Sequence, residues 1–132
     1  MPKEIAVSAK ALVESARREI EEIAPEDVVA LHGRDDIAII DVRDIRELKR
    51  EGKIPGSVHC PRGMLEFWID PESPYFKPIF GEDKRFIFHC ALDWRSALAT
   101  QTAQNMGLKP VAHIKGGFAG WKEAGGAVED VD

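Results

Sequence analysis

Apolar residues in the first part of the chain lie three or four positions apart, with charged residues between them. This spacing predicts an amphipathic helix of about five turns that ends at Pro25. Its apolar face is formed by Ile5, Ala9, Leu12, Val13, Ala16, Ile20 and Ile23. Such a helix packs on its own domain, packs on a twin subunit or binds a partner, and intramolecular or subunit packing is the favoured interpretation.

Farther along, short continuous apolar runs predict buried strands, and charged segments with helical features separate them. The predicted strands are residues 37–40, 57–60, 86–88 and 111–114, and the predicted helices are residues 25–32, 45–51, 96–106 and 118–124. Strands that alternate with short helices predict an α/β fold with a mostly parallel sheet.

Composition excludes several classes of protein. The 132 residues suit one domain, and 44% hydrophobic with 31% charged residues is ordinary for a globular protein. A net charge of −5 argues against general binding of nucleic acid or anionic membranes. We expect no membrane span and no secretory signal, because the chain has no long apolar stretch. Two cysteines suit neither a disulfide framework nor a zinc site, so we expect a reducing cytoplasm and no metal.

The most informative stretch runs from the apolar residues 86–88 through Cys90 into a predicted helix. A cysteine between a strand and a helix start lies where unpaired backbone N–H groups converge. These groups, together with Arg95, favour the thiolate of Cys90 over the thiol. Successive loop N–H groups also form a concave anion-binding nest. The stretch therefore predicts a nucleophilic cysteine in an anion-binding loop, with a structural cysteine as the alternative.

Polar residues also appear abruptly at the end of the strand at 37–40, where Asp41 and Arg43 follow. Ligands of α/β proteins bind at this edge of the sheet. We favour an ion pair that supports the site loops over a direct role for the two residues. The second thiol, Cys60, is interpreted as a small buried side chain, and the alternative is a resolving thiol for Cys90.

Four segments, taken in order, resemble the single-domain rhodanese family. They are Ile-Asp-Val-Arg at 40–43, Gly-Lys-Ile-Pro-Gly-Ser at 52–57, Cys-Ala-Leu-Asp-Trp-Arg-Ser at 90–96 and Gly-Gly-Phe-Ala-Gly-Trp-Lys-Glu-Ala-Gly at 116–125. The resemblance covers residues 25–126, so the chain divides into an N-terminal helical extension at 1–24 and a rhodanese domain at 25–132. It implies a mostly parallel sheet of about five strands flanked by helices, to which the amphipathic helix is added.

The resemblance also implies a sulfurtransferase. Cys90 would attack a sulfane donor such as thiosulfate or a persulfide and hold the sulfur as a covalent persulfide, without a cofactor. It would then transfer the sulfur to a thiophilic acceptor. This acceptor would be cyanide or a thiol, and a protein is the alternative acceptor. Cys90 and Arg95 would be the catalytic residues. The substrate-binding loop would contain Ala91, Leu92, Asp93, Trp94 and Ser96.

The loop departs from the family pattern at Asp93 and Trp94, which disfavours the anionic donor thiosulfate. We expect the Asp93 carboxylate about 6 to 8 Å from the bound sulfur, where it repels an anionic donor or pairs with Arg95. The alternative is that Asp93 points to solvent and only solubilises the loop. Homodimerisation through the N-terminal helix is a further expectation.

Two other hypotheses compete with sulfur transfer. A cysteine phosphatase or arsenate reductase is one, because His89-Cys90 resembles the His-Cys pair of those enzymes. Their arginine, however, comes one residue later, and the shorter loop here suits a sulfur atom better than a tetrahedral oxyanion. The other hypothesis is a non-catalytic interaction module, which the presence of both Cys90 and Arg95 disfavours.

Overall fold

The computed structural model describes residues 2–132, in which five strands form one parallel sheet ordered β1-β5-β4-β2-β3. The strands are β1 (Glu21–Ile23), β2 (Ile37–Asp41), β3 (Val58–His59), β4 (Arg85–His89) and β5 (Val111–Ile114). The helices are α1 (Ala9–Glu19), α2 (Pro25–Leu31), α3 (Ile45–Glu51), α4 (Leu65–Ile69), α5 (Trp94–Asn105) and α6 (Gly117–Glu123), with 3₁₀ turns at Arg62–Met64 and Pro78–Gly81. The predicted α/β fold is confirmed. Within these residues no helix is long and apolar enough to cross a membrane.

Both faces of the sheet are buried, which explains why its central strands are continuous apolar runs. Ile40 and Phe88 are paired in register and face one apolar cluster, which α4 and α5 cover. The neighbouring pair, Ile39 and Ile87, faces the opposite cluster. Trp121 is fully buried in that second cluster and packs α6 onto the sheet.

The N-terminal helix is shorter than its sequence predicts. Helix α1 ends at Glu19, and the next residues form β1, which pairs with β5. The prediction of one helix that continues to Pro25 is therefore wrong. Ile20 and Ile23 fit helical spacing, but Ile23 faces the core from a strand. A strand of three residues is too short to show its own period of two. The sheet thus begins before residue 25.

Helix α1 packs on its own domain, as the favoured interpretation expects. Val13 and Ala16 are buried against Ala97 of α5. The helix begins after Ser8, whose side chain accepts a hydrogen bond from the Ala11 N–H. Arg17 of α1 lies 3.9 Å from Asp93 at the amino end of α5, while Glu19 accepts from Gln101 and Gln104 farther along α5. The amino end of α5 follows β4 at the carboxyl edge of the sheet, where sites form in parallel α/β folds.

Candidate active site

Cys90 directly follows β4 and forms part of a pocket of about 240 Å³ whose walls are residues 90–95. The cysteine is 2% exposed. Helix α5 begins at Trp94, two residues earlier than predicted, because the Asp93 carbonyl accepts the first helical hydrogen bond from the Ala97 N–H. The sulfur therefore lies at the amino end of a helix of 12 residues.

The loop after Cys90 presents free backbone donors. Within residues 2–132 the N–H groups of residues 91–95 have no hydrogen-bond acceptor. The carbonyls of Cys90 and Ala91 accept hydrogen bonds from α6, at 2.8 Å from the Phe118 N and 3.3 Å from the Ala119 N. In a trans peptide the N–H points opposite to the carbonyl, so the N–H groups of the same peptides point away from α6. The loop thus has the free backbone donors that an anion-binding nest requires.

Gly117, the first residue of α6, makes this approach possible. Its φ is +60°, and a side chain there would meet the carbonyl oxygens of Leu92 and Cys90. Only glycine has both the backbone conformation and the space that this position requires. The glycine pair at 116–117 is therefore part of how the fold holds the loop.

Ser96 lies beneath the sulfur and does not face the pocket as a loop residue. Its N–H donates to the Cys90 Sγ over 3.4 Å, and its Oγ lies 3.5 Å from the Sγ. The residue is fully buried in the first turn of α5. The prediction that Ser96 belongs to a substrate-binding loop is therefore corrected, because Ser96 contacts the Cys90 sulfur and does not line the pocket.

Arg95 is bound to a carboxylate. Its two terminal nitrogens donate to the Glu47 carboxylate over 2.6 and 3.0 Å, and this pair links α5 to α3. The hydrogen bond raises the pKa of Arg95 and lowers the pKa of Glu47. Glu47 also completes a capping box with Asp44 at the start of α3. The guanidinium is thus partly neutralised before any substrate binds.

Asp93 fixes the loop to the turn between β5 and α6. One carboxylate oxygen accepts from the Gly116 N–H over 2.8 Å, and the other lies 3.9 Å from a terminal nitrogen of Arg17. The alternative in which Asp93 pairs with Arg95 is wrong, because each residue has a different partner. The exposed side chains of the loop are Leu92 and Trp94, which form an apolar rim.

Asp41 and Arg43 form an ion pair that is completely buried, with 2.7 Å between the nearest N and O atoms. Arg43 also donates to the Gly52 carbonyl and lies over the Phe118 ring, 4.2 Å from its centroid. Burial would raise the pKa of Asp41, but the Arg43 hydrogen bonds and nearby positive charge hold it below its usual value. The pair joins β2 to the chain before β3 and to α6.

His89 lies beside this pair and is also completely buried. Its ring stacks on Phe118 with 6.0 Å between centroids, and its Nε2 lies 3.6 Å from an oxygen of Asp41. Burial lowers the pKa of His89, so the ring is neutral near pH 7.

Cys60 lies in the apolar core and is 0% exposed. Burial raises the pKa of Cys60 to about 12, so its thiolate is not formed near neutral pH. Because disulfide exchange requires a thiolate, this environment argues against a resolving role.

Sequence reasoning missed three residues that form a hydrogen-bonded chain behind Cys90. His113 of β5 lies 2.8 Å from Ser96 and 2.7 Å from Glu22 of β1, and Glu22 accepts from Arg17 of α1 over 2.7 Å. Glu22 and His113 are paired in register. The signal available in the sequence was a histidine inside an apolar strand, because a buried imidazole requires polar partners.

The Glu22, Asp93 and His113 side chains lie close enough together to hold a metal ion, with their ligand atoms within 4.8 Å of one another. The Arg17 guanidinium, however, already contacts both carboxylates. This cation balances their charge, and the geometry assigns no metal to the cluster.

The family profile described as Rhodanese-like domain matches residues 24–124. A solved protein of unknown function from Rhodopseudomonas palustris, described as a possible tyrosine phosphatase, has a TM-score of 0.95, 59% identity and coverage of 98% of this chain and 99% of its own.

Two curated relatives carry names from different enzyme classes. The mouse thiosulfate sulfurtransferase/rhodanese-like domain-containing protein 3 is 33% identical over 65% of this chain, which spans 58% of the mouse protein. The Arabidopsis thaliana dual specificity phosphatase Cdc25 is 31% identical over 82% of this chain and 77% of its own length.

Proposed function

Since the chain belongs to the rhodanese-like domain family, we propose that it is a sulfurtransferase in which Cys90 carries the transferred sulfur as a persulfide. The observation that carries this proposal is the nest of free N–H groups at 91–95 around the nucleophile. A persulfide extends the Cys90 side chain by one atom and carries negative charge on its outer sulfur. Backbone donors fixed in advance stabilise such a charge without reorganisation.

The cycle has two displacements. The Cys90 thiolate first attacks the sulfane sulfur of the donor, a new S–S bond forms, and the donor leaves with the electron pair of the broken bond, as sulfite from thiosulfate or as a thiolate from a persulfide. The acceptor, a thiolate or cyanide, then attacks the outer sulfur and releases the Cys90 thiolate. Neither step requires a metal or another cofactor. A reducing compartment suits this cycle, because both cysteines must remain free thiols.

The rim of the pocket supports a thiol acceptor. Leu92 is 61% exposed and Trp94 is 54% exposed, so the entrance to Cys90 is flanked by two large apolar side chains. The free energy falls when a partner covers exposed apolar side chains, and cyanide is too small to cover them. A thiol carried on a larger molecule, including a protein, fits this entrance better.

Phosphatase activity is the second candidate, because two of the similar proteins carry phosphatase descriptions. Transfer of a phosphoryl group requires cationic groups on its equatorial oxygens. The arginine of the loop, Arg95, is instead held by both oxygens of Glu47. The loop therefore offers backbone dipoles and a guanidinium whose charge a carboxylate already balances, and this favours sulfur transfer.

One sample can separate the two candidates. Sulfur transfer from thiosulfate and from a small-molecule persulfide to a thiol should be measured beside hydrolysis of an aryl phosphate. We expect the wild type and Cys60→Ala to transfer sulfur and Cys90→Ser to have no transfer activity. We expect no phosphate release. Phosphate release that depends on Cys90, without sulfur transfer, would overturn the proposal.

A further inference from the structure

Behind Cys90, polar side chains form a continuous path from the sulfur to the N-terminal segment. The Cys90 Sγ is 3.5 Å from the Ser96 Oγ, which is 2.8 Å from the His113 Nδ1. The His113 Nε2 is 2.7 Å from a carboxylate oxygen of Glu22. Ser96 and His113 are both 0% exposed, so the middle of this path is closed to solvent.

The carboxylate at the end of the path sets the direction of every hydrogen bond. Burial would raise the pKa of Glu22, but hydrogen bonds from Arg17 and His113 outweigh it, so Glu22 is ionised and can only accept. The His113 Nε2 must therefore carry a hydrogen, which leaves the Nδ1 of a neutral ring as an acceptor. Ser96 donates to that nitrogen, and its oxygen is free to accept from the Cys90 thiol.

The charged groups around His113 come from three other elements. Burial lowers the pKa of His113, the Glu22 carboxylate of β1 and the Asp93 carboxylate before α5 oppose this change, and the Arg17 guanidinium of α1 adds to it. The Cys90 thiol faces the same path through Ser96. The net result is a neutral imidazole near pH 7, which is the form that can take a proton.

We propose that Ser96 and His113 form a proton relay that removes the proton from the Cys90 thiol, and that Glu22 is its positioning residue. The inference rests on the proposed role of Cys90 as the sulfur carrier. The Cys90 S–H bond breaks and its electron pair stays on the sulfur. The proton passes to the Ser96 Oγ while the hydroxyl proton of Ser96 passes to the His113 Nδ1. The products are a thiolate, an intact serine and an imidazolium that donates to Glu22.

In this relay, residues of the N-terminal segment contribute to the site. Glu22 belongs to β1 and is held by Arg17 of α1, whose Nε donates to it over 2.7 Å. The parallel register of β1 and β5 places Glu22 directly beside His113. The helix and strand that precede residue 24 are therefore required to fix the imidazole as well as to cover the sheet.

Alkylation of Cys90 tests the relay without any sulfur donor. In a Cys60→Ala background, the rate of modification by iodoacetamide should be followed by intact mass from about pH 5 to about pH 9. Ser96→Ala removes one oxygen and leaves His113 in place. We expect the midpoint of the profile to move to higher pH, with a rate about tenfold lower near pH 7. His113→Gln should give the same change.

The double variant Ser96→Ala, His113→Gln separates a relay from a simple electrostatic effect. If the two residues act in series, the double variant has the same profile as either single variant. Additive shifts would show that His113 acts on the sulfur through space, and unchanged single variants would show no coupling. Either of these two results overturns the proposal.

Two further variants control for misfolding that the substitution of a buried residue could cause. His32→Gln, in which the lost ring contacts Trp121 and the Pro55 carbonyl, should leave the profile unchanged. Glu22→Gln changes a partly exposed residue and should shift the profile in the same direction as His113→Gln. If it does not, the positioning role is wrong. If the profiles follow the relay but Cys90 never accepts sulfur, the proposed function fails and the relay stands.

Discussion

At the scale of single residues, the partner of a side chain decides what the side chain can do. Arg95 follows Cys90 by five positions, and its charge suggests direct stabilisation of a Cys90 thiolate. Its hydrogen bonds go instead to both oxygens of Glu47. A guanidinium that already has a carboxylate partner attracts a donor anion less than a free one does. Its main contribution is then to fix α5 against α3.

Substitution of Arg95 should therefore have a modest effect. We expect Arg95→Ala to lower kcat/KM for thiosulfate by less than about tenfold, because the backbone N–H groups remain. Glu47→Gln frees the guanidinium, so it should raise kcat/KM for this dianion while lowering the free energy of unfolding by at most about 1 kcal/mol. Arg46→Ala, on the exposed side of α3, is the matched control. A loss of about 100-fold or more in Arg95→Ala would mean that the guanidinium contacts the donor.

At the scale of elements, the site depends on how closely α6 approaches the loop after β4. The first two N–H groups after Gly117 donate to loop carbonyls, and the approach leaves no space for a side chain at Gly117. The contact turns the loop so that its N–H groups face away from the helix. A helix of only seven residues thus determines the shape of the nest.

Gly117→Ala should damage stability and activity together. The left-handed φ and the clash with two carbonyls should cost about 2 to 5 kcal/mol of the free energy of unfolding, measured by urea denaturation. Gly125→Ala is the control, because Gly125 has a φ of +86° but no heavy atom within 4 Å of an added Cβ. The control should lose about 1 to 2 kcal/mol and keep its sulfur transfer. Equal losses in the two variants would show that the contact with the loop contributes nothing.

The elements also show what the sequence can reveal. The apolar runs at 37–40, 86–88 and 111–114 predict their strands, because parallel strands that are buried on both faces are continuous apolar runs. Strand β1 could not be predicted, since its three residues continue the helical spacing of α1 and its partner β5 lies about 90 positions away along the chain. Because β1 was not predicted, Glu22 was not recognised as the partner of His113, and the proposed role of His113 could not be inferred.

In the site, too, some features could be predicted from the sequence and others could not. Cys90 and the loop could be predicted, because a strand, a cysteine and a helix start are adjacent in the chain. The partners of Arg95 and Asp93 could not, because Glu47 and Gly116 become neighbours only in the folded chain. Sequence spacing reports contacts within one element and does not report contacts between elements.

At the scale of the whole molecule, α1 uses its inner face within its own chain. Val13 and Ala16 are buried, while Leu12 of α1 and the preceding residues Ile5 and Val7 are exposed. Homodimerisation through the N-terminal helix stays a prediction.

Stability should depend on pH through buried groups with lowered pKa values. Burial lowers the pKa of His89 and the pKa of His113 in the folded chain. At pH values between these lowered pKa values and about 6.5, the unfolded chain therefore binds more protons than the folded chain. The free energy of unfolding should therefore fall as the pH falls below about 6.5, by at most about 2.7 kcal/mol per pH unit for the two histidines together. The lowered pKa values of Glu22, Asp41 and Glu47 extend this loss below about pH 4.5.

Urea denaturation of the wild type and His113→Gln at several pH values measures this dependence. We expect a smaller slope for His113→Gln between about pH 5 and about pH 6.5, because one of the two buried imidazoles is gone. Equal slopes would show that His113 is protonated equally in the folded and unfolded chains.

The proposed function depends on sulfur becoming covalently bound to Cys90. The most direct measurement is the intact mass of the protein after incubation with thiosulfate or with a small-molecule persulfide, followed by removal of the donor and addition of a thiol. We expect a gain of one sulfur atom in the wild type and in Cys60→Ala, no gain in Cys90→Ser, and return to the starting mass when the thiol is added. A wild-type mass that does not change with either donor, or a gain that Cys90→Ser retains, would contradict the proposed function.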